Sequence, residues 1–150
     1  MPSKASQWSV VHGDLNASNI ILSSTGEIAL IDFADAGLGH CYEDMITIES
    51  AVRLCWPLGV SSVTAPSIGD YFERELRFNR NPGDSEFSGD GWPLIRRIRE
   101  LTGEAFGNKI GKDYYYGLSF YCFRLPRIPE FQNETKKRIL ATGIAAAMIG

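Results

Sequence analysis

Two short apolar runs, Ile20-Ile21-Leu22 and Ile28-Ala29-Leu30-Ile31, flank the segment Ser23-Ser24-Thr25-Gly26-Glu27, and this pattern constrains the fold more than any other in the chain. Branched apolar runs separated by a short polar stretch with glycine near the bend predict a β-hairpin. A hairpin brings its ends together. Asn19, entering the first strand, and Asp32, leaving the second, are therefore expected side by side, with Asp14 in the loop just before them.

These three residues share one chemistry. A carboxylate at Asp14, a carboxamide at Asn19 and a second carboxylate at Asp32 are hard oxygen donors of the kind that magnesium prefers. Transfer of a terminal phosphoryl group asks a protein for little covalent work. It asks for an oriented hydroxyl and for neutralised charge. Asp14 could accept the hydroxyl proton, Asn19 could hold one metal ion through its carbonyl oxygen, and Asp32 could bridge metal to phosphate.

The run His12-Gly13-Asp14, with Asn19 and then Ile31-Asp32-Phe33, resembles the catalytic and metal-binding loops of the aminoglycoside phosphotransferase and choline kinase group, small-molecule relatives of the protein kinases. The Asp14-to-Asn19 spacing also matches protein-kinase catalytic loops. Gly13, where protein kinases carry arginine, resembles the small-molecule branch, as does Gly37-Leu38-Gly39 followed by Tyr42-Glu43-Asp44-Met45. The resemblance implies Asp14 as catalytic base, Asn19 and Asp32 as metal and nucleotide ligands, and Mg2+ with ATP or GTP as the phosphoryl donor. It implies that Asp44 braces the loop. His12 has two readings, a base or ligand and a packing brace, of which the brace is the plainer. Asn16 and Ala34 depart from the pattern, standing where a basic or histidine residue and a glycine are usual.

Enzymes of this kind are two-lobed, and the amino-terminal lobe supplies a phosphate-binding lysine and much of the adenine pocket. Here the catalytic loop begins almost at residue 1. The expectation is a single domain over residues 1–150, the carboxy-terminal, catalytic-loop lobe, with the nucleotide lobe as a missing partner. Its expected fold class is α+β, mainly α: a protein-kinase-like carboxy-terminal lobe whose short hairpin carries the catalytic and metal loops and packs on a helical subdomain. The expected activity is phosphate transfer from ATP or GTP to a small-molecule hydroxyl. Two other classes stand beside it, a kinase-like binding or regulatory module without turnover and a metal-dependent phosphoester hydrolase. The hydrolase would need more ligands than two histidines supply for the usual dinuclear cluster.

Composition sets bounds. A net charge of -3 argues against nucleic acid as a partner. The basic run Arg96-Arg97-Ile98-Arg99 reads as the solvated face of a helix with Leu94, Ile95, Ile98 and Leu101 on another. The small-residue tail Ala141 to Gly150 is too short to cross a bilayer. With no charged start and apolar signal core before His12, the expected location is the cytoplasm. Cys41, Cys55 and Cys122 lack paired metal spacing and read as free thiols, buried or partly buried.

Beyond Asp44 the periodicity turns helical. Helices are expected from Glu43 to Cys55, stopped by Pro57; from Thr64-Ala65-Pro66 to about Phe78; from Pro93 to Leu101; from Lys112 to Leu125; and from Glu130 to Met148, with a loop from Asn79 to Trp92. This helical half should hold the acceptor pocket. Asp70, Glu73, Asp84, Glu86 and Asp90 could meet a cationic acceptor, though surface charge is the simpler reading. Tyr114, Tyr115, Tyr116, Phe120, Tyr121 and Phe123 could line a pocket, though core packing is simpler. Trp56 is similarly ambiguous. His40 could lie near substrate, though an exposed loop histidine is the simpler reading, and Asp35 could assist the second metal, though the resemblance supports Asp32 more firmly.

Overall fold

The computed structural model describes residues 8–55, 66–107, 110–129, 131 and 133–150, and among them the protein is mainly helical. Strand β1 (Trp8–Val11) pairs antiparallel with β4 (Gly37–His40), Trp8 opposite His40 and Val11 opposite Gly37. Strands β2 (Ile20–Leu22) and β3 (Ile28–Leu30) form the hairpin, Ile20 opposite Leu30 and Leu22 opposite Ile28. Gly26, at φ 86°, takes the bend, and Ser23 accepts its N–H at 3.0 Å.

Five α-helices follow among the described residues: α1 (Glu43–Cys55), α2 (Ile68–Arg80), α3 (Trp92–Phe106), α4 (Lys112–Arg124) and α5 (Asn133–Ile149). Helix α1 occupies the expected residues. The second helix begins later than the sequence predicts, because Ser67 and Asp70 form a reciprocal capping box and set its first turn at Ile68. It also runs past Phe78 to Arg80, and α3 starts at Trp92 and continues to Phe106. The stop expected at Pro57, the ambiguous Trp56, Thr64, Ala65 and Glu130 lie outside the described residues.

Helix α1 is the shared wall of two cores. On one side Tyr42, Ile46, Tyr114, Leu118, Cys122 and Ile139 pack together; on the other, Val52 meets Phe78, Phe87, Trp92, Ile95 and Ile98. Gly143 lets α5 approach α4 closely, since a Cβ there would lie 3.2 Å from Cys122 and from the Phe123 ring. Burial pushes the Cys122 thiol up to about 12. Cys41 and Cys122 are free; the side chain of Cys55 is outside the described residues.

Between the two cores lies a charge cluster. Glu49 is fully buried and accepts from Arg53 at 2.8 Å, from Arg99 at 2.8 and 2.9 Å and from the Tyr114 hydroxyl at 2.6 Å. Arg53 also pairs with Glu75, which Thr142 reaches at 3.1 Å. Burial alone would raise the Glu49 carboxyl, but Arg99 and Arg53 outweigh it and hold it down to about 2. This corrects the reading of the basic run as a solvated face. Arg97 does face solvent, whereas Arg99 turns inward to Glu49 and Asn79, and Arg96 reaches the Phe87 carbonyl at 3.1 Å.

The hairpin departs from expectation too. It is not buried against the helices: Leu22 is 68% and Ile28 70% exposed, and on the other ladder Val10 and Leu38 are each 80% exposed. No helix among the described residues is long and apolar enough to cross a membrane.

Candidate active site

The site is built where two loops meet back to back. The first runs from the end of β1 through Asn19, the second from the end of β3 into β4. Three contacts join them. Buried His12 places Nε2 2.9 Å from the Ile31 carbonyl oxygen, its ring packs against Phe33 at a 45° tilt with centroids 4.7 Å apart, and the Ile31 N–H donates to the Asn19 carbonyl at 3.0 Å. Gly13 adopts φ 85°, and a Cβ there would fall on the Asp35 carbonyl, so both its conformation and its clearance require glycine. From below, the Asp44 carboxylate accepts the N–H of His12 at 2.8 Å and that of Gly13 at 3.1 Å.

Asp14 and Asn19 are in direct contact. The Asn19 amide nitrogen donates to the Asp14 carbonyl at 2.8 Å and to its carboxylate at 3.2 Å. Asn19 is buried, and its carbonyl oxygen is used in neither bond. A short helical turn, Ala17–Asn19, presents it, capped by Asn16, whose side chain accepts the Ser18 N–H at 2.9 Å. Asn16 thus has a cap's work where the family pattern has a basic residue.

Asp32 follows directly on the Ile31–Asn19 link and sits at φ 62°, a left-handed conformation uncommon outside glycine, asparagine and aspartate. Backbone strain of that kind concentrates where geometry serves function. The Asp32 carboxylate has no hydrogen-bond partner among the described residues. Nothing in the sequence marked this conformation.

The donor set fits magnesium. No group of three or more His, Cys, Asp or Glu that could hold a metal occurs among the described residues, so a closed protein cage is absent there. A carboxylate and a carboxamide oxygen are instead the sparse hard donors with which magnesium, also bound by phosphate and water, is usually held.

Of the other candidates, His40 accepts the Tyr42 N–H on Nδ1 at 3.3 Å. Asp70 serves the capping box, Asp84 caps the turn at Ser85–Phe87, and Glu86 pairs with Arg77 at 2.9 Å. Tyr114 is core, while Phe120 is 68% exposed. Tyr121 lies within the influence of Asp14: burial raises its hydroxyl, a Thr47 hydrogen bond opposes, and the Asp14 charge adds to the rise.

A helical domain that presents an aspartate, an asparagine and a left-handed aspartate from two interlocked loops has the features of the phosphoryl-transfer class. Residues 1–79 match the model of the phosphotransferase enzyme family, APH, and the chain belongs to that family. No curated protein and no solved structure matches it.

Proposed function

We propose that the protein is the catalytic-loop lobe of a kinase-like enzyme that transfers the terminal phosphate of ATP or GTP to a small-molecule hydroxyl. The contact of Asn19 with both the carbonyl and the carboxylate of Asp14 carries the reading, because it fixes a base beside a metal ligand. In this mechanism the acceptor oxygen attacks the γ-phosphorus as the bond from that phosphorus to the nucleoside diphosphate breaks, and Asp14 takes the hydroxyl proton. Asn19 and Asp32 would hold magnesium, which supplies charge neutralisation at the phosphates when bound.

Asp44 and His12 keep the loops in register, so that the base and the ligands stay within reach of one another. The open apolar faces of both ladders support a further part of the reading, that a nucleotide-binding lobe covers them. The test is transfer of radiolabelled γ-phosphate from magnesium-ATP and magnesium-GTP to a panel of hydroxyl compounds by the full-length protein and its Asp14→Asn variant. Transfer by wild type and its loss in the variant are expected. Equal transfer by both would remove Asp14 from the mechanism.

A further inference from the structure

Four helices converge on a small internal cavity. It lies on the seam between two helix pairs, α2 packed chiefly on α5 and α3 on α1, and its wall includes Arg53, Tyr71, Glu75, Trp92, Ile139 and Thr142. Its volume is about 10 Å³, room for the centre of a single water molecule.

Two polar atoms of the residues in this wall are buried without a hydrogen-bond partner, the indole Nε1 of Trp92 and Oε2 of Glu75. One is a donor and the other an acceptor. Trp92 is 1% and Glu75 5% exposed, so bulk solvent serves neither of them. Both side chains are also held in place. The indole packs against Phe78 and Phe87 with ring centroids 4.4 and 5.1 Å away, and the Arg53 guanidinium lies 5.7 Å from its centre. Glu75 is anchored through its other oxygen, Oε1, by Arg53 and by the Thr142 hydroxyl at 3.1 Å. Thr142 adds a third group. Its single hydroxyl proton is divided between Glu75 and the Arg138 carbonyl at 3.0 Å, which leaves a lone pair on Oγ1 able to accept.

Buried polar groups without partners are costly, and a cavity that offers both a donor and acceptors is where interior water is held. A metal cation would satisfy Oε2 but face the indole N–H and Arg53, and a halide would satisfy the N–H but face Oε2. Water both donates and accepts at this size. We propose that the cavity binds one long-lived water, which accepts the Trp92 indole N–H and donates to Glu75 Oε2 and Thr142 Oγ1. Three bonds are the usual number for an interior water. The water joins α2, α3 and α5 across the seam and extends the buried charge cluster to Trp92. The inference is independent of the phosphotransferase reading, because the wall is built from α1, α2, α3 and α5 rather than from the catalytic loops.

A crystal structure of the full-length protein at a resolution that orders waters, with a second crystal soaked in bromide, tests the assignment directly. One water peak at hydrogen-bond distance from both Trp92 Nε1 and Glu75 Oε2, unchanged by bromide, is expected. A direct indole–carboxylate hydrogen bond, the lack of any peak between the two groups, or an anomalous bromide signal there overturns the proposal. Residence is read in solution from the Trp92 indole proton, identified by its contacts with the rings of Phe78 and Phe87. Cross-peaks at the water frequency should have opposite signs in NOE and ROE spectra, the mark of a bound molecule; equal signs would mean proton exchange and overturn it. The cross-peak should survive in Thr142→Val and in Tyr71→Phe, which delete hydroxyls at the cavity, because the water keeps its bonds to Trp92 and Glu75. Its loss in either folded variant would make it a hydroxyl relay and overturn the bound water. Where a variant does not fold, the crystal experiment on the wild type decides.

Discussion

Asp44, at the start of α1, accepts the backbone N–H of His12 at 2.8 Å across 32 residues of chain, and its second oxygen takes the neighbouring N–H of Gly13. A helix end thereby fixes a loop. Asp44→Ala should release both amides, since no other acceptor for them is present among the described residues. Hydrogen exchange at His12 and Gly13 is expected to accelerate at least tenfold, each bond to a charged acceptor being worth about 1.5–3 kcal/mol. Amide exchange followed by NMR checks this, and unchanged protection would show that Asp44 does not hold the loop.

Asp14→Asn should lower phosphoryl transfer by about 10² to 10⁴ while leaving nucleotide affinity nearly unchanged. The asparagine keeps the size of the side chain and can still meet Asn19, so the loop stays in place. Turnover measured with a parallel nucleotide titration separates the two effects. A large loss of nucleotide affinity would assign Asp14 to binding instead.

Asp32→Asn should behave differently. Asparagine tolerates the left-handed backbone at this position, so the melting temperature should hold. Magnesium-ATP affinity should fall by roughly tenfold or more, because a neutral amide compensates phosphate charge less well. Calorimetry on the full-length protein with and without magnesium is the measurement, and equal affinities would contradict the ligand role.

Acid should unfold the protein through Glu49. Its carboxyl is held down to about 2 in the fold, below the ordinary value of 4.5, so the stability it contributes is present above about pH 4.5 and is lost as pH falls toward 2. The shift corresponds to roughly 3 kcal/mol. Glu49→Gln should remove this part of the pH dependence and lower stability at pH 7, because Arg99 loses its counter-charge and Arg53 keeps only Glu75. Denaturant unfolding from pH 7 to pH 2 tests both. An unchanged acid limb in the variant would show that another group controls it.

The hairpin and α1 were legible because their signals are local: a five-residue turn between apolar runs, and one apolar stripe after Tyr42. The pairing of β1 with β4 was not, since Trp8 and His40 find each other across the whole catalytic region. The onset of α2 was less legible, because Pro66 is itself a helix-start signal and stands one residue before the Ser67–Asp70 capping box that sets the first turn at Ile68. Arg99 shows the deeper limit. A basic run gives no sign of which member turns inward, and its partner Glu49 lies 50 residues away on another helix. At the site, residue types were readable, but the left-handed Asp32 and the Gly13 contact with Asp35 depend on two loops meeting in space.

The buried charges also bear on how such a chain can diverge. Glu49, Arg53, Glu75 and Arg99 come from three different helices, and replacing Glu49 strands Arg99, or replacing Arg53 strands Glu75, in the interior at about 3–5 kcal/mol, whereas exchanging the whole group for well-packed apolar side chains is close to neutral. The two inner members, Glu49 and Arg53, are therefore the ones a redesign cannot change singly, while Glu75 and Arg99 at the ends of the chain of pairs can be exchanged first.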